Sequence, residues 1–384
     1  MNPLAAFAAA CIVTSLGYYA ASCIIALRFA ARAAKQPPPT PKIAPKVAIL
    51  KPLHGLNTDL LENLTSYLEL DYRRVEYLFG VSSYDDRAAD VPVALKAQYP
   101  FAQVKLVVGE QPGCANRKIA KLINMADRVQ RAEIILLADA DISVDRGHLQ
   151  HIVGELCDDQ VGMVTCLYRA KPSDGFASRL GALFINTDFV PLIMVSSLVE
   201  PMRYGMGATI ALKKCTFDAI GGFKALKDML ADDYYLGRLA SKHGYKIRLS
   251  TSVVTTRTGE KNFREFWKHQ IRWARTYRST RRVSLATIVL HAPFWGLVLL
   301  AASQFSLPAV GLFAGVIAAR IAMARLFIGK ILGLPEHRKD AWLVPFKDLI
   351  MTAIWAVSLF SNEVLWAGRR LIIQPDGTVR ELNS

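Results

Sequence analysis

The stretch EIILLADAD, residues 133–141, decides the fold. Ile134 to Leu137 are four consecutive aliphatic residues without alternation. Such a run suits a strand buried on both faces, as in a parallel sheet covered by helices. It then runs into Asp139 and Asp141, spaced one residue apart. Carboxylates at the end of a buried strand lose hydration and repel each other. Ligands of such sheets bind beyond the carboxyl ends of the strands. Asp139 and Asp141 are therefore candidate ligands of a hard cation such as Mg²⁺ or Mn²⁺, which takes carboxylate oxygens together with a ligand's phosphates. The plainer alternative is one helix-capping aspartate and one solvated one.

Strands and helices alternate on either side of this stretch. VAIL (47–50), VEYLFGV (75–81) and VKLVVG (104–109) read as further strands. Helices are expected over 57–68, 88–98 and 116–130, giving an α/β domain with a mostly parallel sheet over 46–262. Two more polar clusters fall at strand ends: Asp85-Asp86 after the second, and Asn116 to Lys118 after the third. No G-x-G-x-x-G follows the first strand, which argues against a dinucleotide-binding oxidoreductase.

The chain has 384 residues, of which 52% are hydrophobic and 21% charged, so apolar matter must be concentrated in places. It lies at the two ends. Residues 4–27 carry no charge and match the ~20 residues that cross a hydrocarbon core. A cleaved signal peptide would carry its charges before the apolar run, and here they follow it, so 1–30 reads as a retained anchor. Arg28, Arg32, Lys35, Lys42 and Lys46 place the chain from residue 28 onward in the cytoplasm by the positive-inside rule. Pro37 to Pro39, Pro41 and Pro45 make 31–45 a stiff spacer. Toward the other end, 285–303 and 307–328 are apolar, the latter with Arg320 and Arg325. The stretch 343–367 contains Lys347, Asp348 and Glu363 and is compatible with a span, a re-entrant segment or a surface helix. A C-terminal membrane region of 285–372 and a tail of 373–384 follow from this.

The net charge is +15, and the basic residues cluster beside the apolar segments. Attraction to an anionic membrane surface accounts for that more simply than nucleic acid, and no nucleic-acid partner is expected. The six cysteines show no C-x-x-C spacing, so neither a zinc site nor a disulfide framework is indicated.

Two stretches outside the first strands add chemistry. GGFKALKDMLADDYYLGRL (221–239) places Asp232 and Asp233 at the start of a helix, where the dipole favours carboxylates. Capping explains one of them, and the other is a candidate general base. In 263–284, Phe263, Phe266, Trp267, Ile271, Ala274 and Tyr277 recur at helical spacing among arginines and lysines. This reads as a basic amphipathic helix lying in the headgroup plane. The apolar stretch within 165–210 would receive a lipid between domain and bilayer.

KPLHGLN (51–57), VSSYDD (81–86), Gly113 with Asn116 and Lys118, ADAD (138–141), GGF with DDYYLGRL, and IRW (271–273) occur in order over about 46–280. As a set they resemble the ceramide glucosyltransferase family (glycosyltransferase family 21), whose bacterial relatives include hopanoid-associated N-acetylglucosaminyltransferases. The resemblance implies a GT-A fold with flanking transmembrane helices. It also implies an inverting, metal-dependent enzyme of the bacterial inner membrane with a cytoplasmic catalytic domain. That enzyme would move one sugar from UDP-glucose or UDP-N-acetylglucosamine to a membrane lipid hydroxyl, on ceramide or on a hopanoid such as bacteriohopanetetrol. Carried over by position, Asp85 or Asp86 falls at the uracil, and Asn116 and Lys118 near ribose and diphosphate. Asp139 and Asp141 fall at the metal and diphosphate, Asp233 is the catalytic base, and Arg272 and Trp273 are the last pair of the Q/R-x-x-R-W motif. His269 departs from that motif, where Gln or Arg is usual, and a charge role there is in doubt. The competing expectations are a processive polysaccharide synthase and a non-catalytic lipid-binding scaffold.

Overall fold

A computed structural model describes residues 2–35, 43–57, 59–366 and 368–382. The centre of the proline spacer, residues 36–42, lies outside them. Eight strands form one sheet: β1 (Val47–Pro52), β2 (Val75–Val81), β3 (Gln103–Val108), β4 (Ile134–Leu137), β5 (Ile142–Ser143), β6 (Val161–Pro172), β7 (Ile210–Lys213) and β8 (Lys246–Thr258). Their order is β3-β2-β1-β4-β7-β6-β8-β5. β3, β2, β1 and β4 run parallel, as the unalternating apolar runs require. β7 is antiparallel to both its neighbours, and β5 is antiparallel to β8. The link Ala138–Asp141 joins central β4 to β5 at the far edge, so the sheet curls to bring that edge back.

Each central strand feeds two cores, because successive side chains point to opposite faces. Val47, Ile49, Phe79 and Leu136 pack on one side of the sheet. Ala48, Leu50, Leu78 and Leu137 pack on the other. That second core runs without a break into Ile12 and Tyr19 of the first helix, and into Val190 and Val316 of later helices. The domain and the apolar helices are thus joined by one continuous hydrophobic body. The buried amide of Asn186 adds a polar pin, accepting from Ala170 N–H and donating to Ala170 C=O at 2.8 Å each.

Among the described residues, four helical segments are long and apolar enough to cross a bilayer: Pro3–Ala34, Phe176–Val199, Leu307–Ile331 and Pro335–Ser358. Val283–Leu290 and Ala292–Ala302, bent by 57°, make a fifth if counted as one span. Phe176–Val199 is where the sequence suggested an apolar surface to receive lipid, and it is itself a spanning-length helix with a π-turn at Ile185–Phe189.

One expectation is corrected and a second is qualified. The stretch 343–367 is not one element: its helix ends at Ser358, and β9 (Glu363–Trp366), β10 (Arg369–Ile373) and β11 (Val379–Glu381) form a small antiparallel sheet. Val364, Leu371, Ile373 and Val379 pack on Leu230 of the soluble domain, so the end of the expected membrane region, from Glu363, and the tail fold back onto it. The helix Phe263–Thr280 has part of its aromatic face covered by protein, whereas Phe263 is exposed. Phe266 is fully buried with Leu180 and Ile354, and Trp267 and Ile271 pack beside them. Two helices thus cover part of the apolar stripe that suggested a lipid surface.

The apolar helices are also bolted together by charge. Arg320 donates to Asp348 at 2.8 and 3.1 Å and to the Thr187 carbonyl at 3.0 Å, and it also pairs with Asp188. Lys347, fully buried, pairs with Asp348 at 2.7 Å and with Asp188. Removing one partner strands the opposite charges in an apolar setting. Arg320→Leu is expected to cost about 3–5 kcal/mol, read as a lowered apparent Tm of the detergent-solubilised protein. Arg320→Lys should lose less, and equal melting of Arg320→Leu and the parent would contradict this role.

Candidate active site

Asn116 starts the site by starting a helix. It caps Arg117–Ala126, its side-chain oxygen accepting from the N–H groups of Lys118 and Ile119 at 2.9 and 3.1 Å. Its amide nitrogen donates to the Met229 carbonyl at 2.7 Å, and the residue is fully buried. The expectation that Asn116 lies near ribose and diphosphate therefore meets a side chain whose polar atoms are both engaged within the protein. What the cap does is aim its neighbour. The Lys118 ammonium lies 2.7 Å from Asp139 and 3.0 Å from Asp232.

Asp139, Asp232 and Asp233 converge around this one ammonium, although they come from the end of β4 and the start of the helix Asp232–Lys242, and Asp141 lines the same cavity. Neither Asp232 nor Asp233 serves as a side-chain N-cap, a position held by Ala231. Asp233 instead accepts from the N–H groups of Gly207 and Tyr234 at 2.8 and 2.7 Å. Glycine at 207 leaves room for this approach: a Cβ there would sit 3.0 Å from Asp139 Oδ2 and would press that carboxylate aside by a few tenths of an ångström. Asp141 accepts from Thr256 on β8 at 2.9 Å, a bond that the curl of the sheet makes possible.

Burial and mutual repulsion set the electrostatics. Burial, then the Asp232 charge, pushes Asp233 up to about 6, with Lys118 and the two N–H groups opposing. Burial and Asp139 raise Asp141, and burial raises Asp232 against the pull of Lys118. Burial alone would lower Lys118, but Asp139, Asp232 and Asp233 together hold its ammonium above the ordinary value. Lys51 at the end of β1, fully buried and donating to the Ile142 carbonyl at 3.0 Å, is brought down to about 7 by burial, with Asp141 and Asp139 resisting.

Lys118 and the four aspartates line a cavity of about 1440 Å³, larger than the roughly 300–1,000 Å³ of a typical small-molecule site. Arg272 and Trp273 line it too. The Arg272 guanidinium makes no hydrogen bond or ion pair among the described residues. Burial lowers its pKa, with Tyr277 and Asp139 opposing. Trp273 stands edge-on to Phe184 at 5.8 Å and to His269 at 5.0 Å. The cavity also has apolar lining, including Leu192, Ile193 and Val195 of one helical segment and Leu285, Val289 and Leu290 of another.

Asp85 and Asp86 do not line this cavity. Asp85 is exposed. Asp86 accepts from the N–H groups of Gly55 and Ala88, fastening the loop after β1 to the end of β2. That loop reaches the cavity at Asn57. The sequence did not single out Gly207, Thr256 or Glu260. Glu260 binds His269 Nδ1 at 2.8 Å, while its other oxygen is buried without a partner. The exception at His269 was the one available signal, since a histidine in place of Gln or Arg calls for a different neighbour.

Among the described residues, no three His, Cys, Asp or Glu side chains gather into a complete metal cage. Asp139 and Asp141 supply two hard oxygen donors, with Asp139 partly open to the cavity. That suits a divalent cation completed by phosphate and water rather than by protein.

Lys118 is the counter-charge for buried Asp232 and for partly buried Asp139 and Asp233, so Lys118→Met should lower stability by about 2–3 kcal/mol at pH 8. The raised carboxylates take up protons as pH falls, which relieves their repulsion. The difference in apparent Tm between parent and variant should therefore shrink toward pH 5, whereas a pH-independent difference would contradict the assignment.

Comparison with known proteins agrees with this geometry. The model of Glycosyl transferase family 21 matches residues 7–379. Ceramide glucosyltransferases 3 and 1 of Caenorhabditis elegans are 26% and 25% identical over 232 and 239 residues, covering 60% and 62% of this chain and 50% of each relative. The probable glycosyltransferase YdaM of Bacillus subtilis is 24% identical over 244 residues, covering 61% of this chain and 56% of that protein. The chain thus spans about half the length of the curated relatives it matches first. In fold it is similar to a mannosyltransferase from Pyrobaculum calidifontis solved with GDP-Man and Mn²⁺, with a TM-score of 0.55, 21% identity, and coverage of 91% of this chain and 99% of that one. The mostly parallel, curled sheet is thus of the GT-A type, and the chain belongs to glycosyl transferase family 21.

Proposed function

We propose that this protein transfers a single sugar from a UDP-sugar, UDP-glucose or UDP-N-acetylglucosamine, to a hydroxyl of a membrane lipid, with inversion at the anomeric carbon. The observation that carries the reading is the continuity of one cavity. Four aspartates, Lys118 and the unpaired Arg272 line it together with apolar residues of two membrane-type helical segments. A nucleotide diphosphate suits the charged lining and a lipid the apolar lining, and the volume accommodates both.

The roles follow from charge and access. Arg272, a desolvated guanidinium with no protein partner, is placed to clamp the diphosphate in a bidentate way. Lys118 assists it from the opposite wall, and Asn116 holds Lys118 in place by capping its helix. Asp139 and Asp141 would hold Mg²⁺ or Mn²⁺, which when bound neutralises charge on the leaving diphosphate. Asp85 and Asp86 mark the expected uracil end, with Asp86 shaping the loop that reaches Asn57. Asp233 takes the acceptor proton as the hydroxyl attacks, and Trp273 forms the wall against which the acceptor lies. With Asp233 as base the hydroxyl displaces the diphosphate in a single step, and no glycosyl-enzyme is required.

In this reading the four or five spanning-length helices hold the protein in a bacterial inner membrane. Positive charge after the first helix keeps the catalytic domain on the cytoplasmic side, against an anionic surface. The acceptor class is a hydroxylated lipid, ceramide or a hopanoid such as bacteriohopanetetrol.

Product analysis with reconstituted protein tests the reading: one lipid-linked sugar supports it, while a polymer or no product overturns it. Asp233→Asn should keep nucleotide binding and lose about 10²–10⁴ in transfer rate. Because Asp233 must be ionised to act and its pKa is pushed up to about 6, parent activity should fall as pH drops through 6. Full transfer by Asp233→Asn, or a rate flat from pH 7 to 5, would remove Asp233 from the role of base.

A further inference from the structure

A second cavity, of about 710 Å³, shares no lining residue with the first. It opens where the first helix leaves the other apolar helices. Ile25, Arg28, Phe29 and Arg32 fall at i, i+3, i+4 and i+7, so they form one stripe of that helix. The stripe faces Met194 and Leu198 at the end of the helix Val190–Val199, and the start of β8. The groove is amphiphilic. Ile25, Phe29, Met194 and Leu198 give it apolar walls, whereas Arg28, Arg32, Arg203, Lys246 and Arg248 give it five cations. No aspartate or glutamate lines it.

Two of the five cations have neighbours. Arg248 pairs with Asp158 at 2.7 Å, and Lys246 donates to Gln160. Arg28, Arg32 and Arg203 make no ion pair or side-chain hydrogen bond among the described residues, and all three are exposed. A helix rises about 1.5 Å per residue, so some 20 residues from the start of the first helix cross a hydrocarbon core of about 30 Å. Ile25 therefore stands at its edge, and Arg28 and Arg32 one and two turns further on, at headgroup level.

We infer that this groove binds one anionic phospholipid, its phosphate held by Arg28, Arg32 and Arg203 and an acyl chain lying along Ile25, Phe29 and Leu198. A guanidinium trio without carboxylates recognises phosphate oxygens, and the apolar walls select a phosphate that carries a chain. The bound lipid would clamp the first helix to the segment Met202–Arg203 and to β8, fixing the soluble domain against the membrane helices from outside the reaction cavity. The inference rests on the reading that the first helix crosses a bilayer, and it does not require the sugar-transfer chemistry.

Native mass spectrometry of the full-length protein, titrated with phosphatidylglycerol or phosphatidylcholine, tests it. One phosphatidylglycerol should be retained at least about tenfold more tightly than phosphatidylcholine. At a factor of about 5 for each cation near the headgroups, Arg28→Gln/Arg32→Gln/Arg203→Gln should weaken that binding about 10²-fold. The corresponding triple lysine variant should keep most of it. A charge-matched control, Lys224→Gln/Lys227→Gln/Lys242→Gln, should leave it unchanged, as should millimolar inorganic phosphate. Equal binding of the two lipids, undiminished binding by the glutamine variant, or an equal loss in the control overturns the site. Displacement by phosphate alone overturns the lipid as its occupant. Loss of this site with sugar transfer intact, or the reverse, separates this inference from the proposed function.

Discussion

The site depends on one ammonium group. Asp139, Asp232 and Asp233 are brought together from two elements far apart in sequence, and Lys118 is the cation among them. Without it, buried carboxylates at this spacing would take up protons or push apart. The fold serves that arrangement: Asn116 caps the helix that aims Lys118, and Gly207 lets the backbone pass between Asp139 and Asp233. Compensation is incomplete, since Asp141, Asp232 and Asp233 are all raised. A cavity left with surplus negative charge on one wall and an unpaired Arg272 on another is poised for a ligand that brings both a cation and phosphate.

The same cavity ties the chemistry to the apolar helices. One hydrophobic core runs from Leu50 and Leu137 in the sheet to Ile12 and Val316 in those helices, so the two parts are not separately mobile bodies joined by a linker. The helix Phe263–Thr280 is the hinge of this design in composition. One face, with Phe266 and Ile271, packs on neighbouring helices, while another carries His269, Arg272 and Trp273 into the cavity. An aromatic-rich basic helix can thus be a wall between a polar site and an apolar one.

Much of this was legible in the residues. The unalternating runs at 47–50, 75–81 and 134–137 gave parallel strands, because only burial on both faces tolerates them. Asp139 and Asp141 after a strand and Asp232 and Asp233 at a helix start marked where a pocket forms, whereas the pair Asp85-Asp86 lies outside it. What stayed hidden depends on contacts between distant segments. Nothing local to Thr256 or Glu260 announces its partner, and Asn116 looks the same as a ligand or as a cap. Hydropathy could not separate the helix ending at Ser358 from the strands after it, since β-sheet cores and spans share their amino acids. It also masked the spanning length of Phe176–Val199, whose Thr187 and Asp188 break the apolar run and are matched by Arg320 and Lys347 from elsewhere.

The most direct test is a cryo-electron microscopy map of the reconstituted protein with UDP and a divalent cation. The account predicts the diphosphate between Arg272 and the Asp139–Asp141 pair, with the cation on those carboxylates and Asp233 open toward the apolar lining of the cavity. Nucleotide density elsewhere on the domain, or a diphosphate out of reach of Arg272, would contradict it.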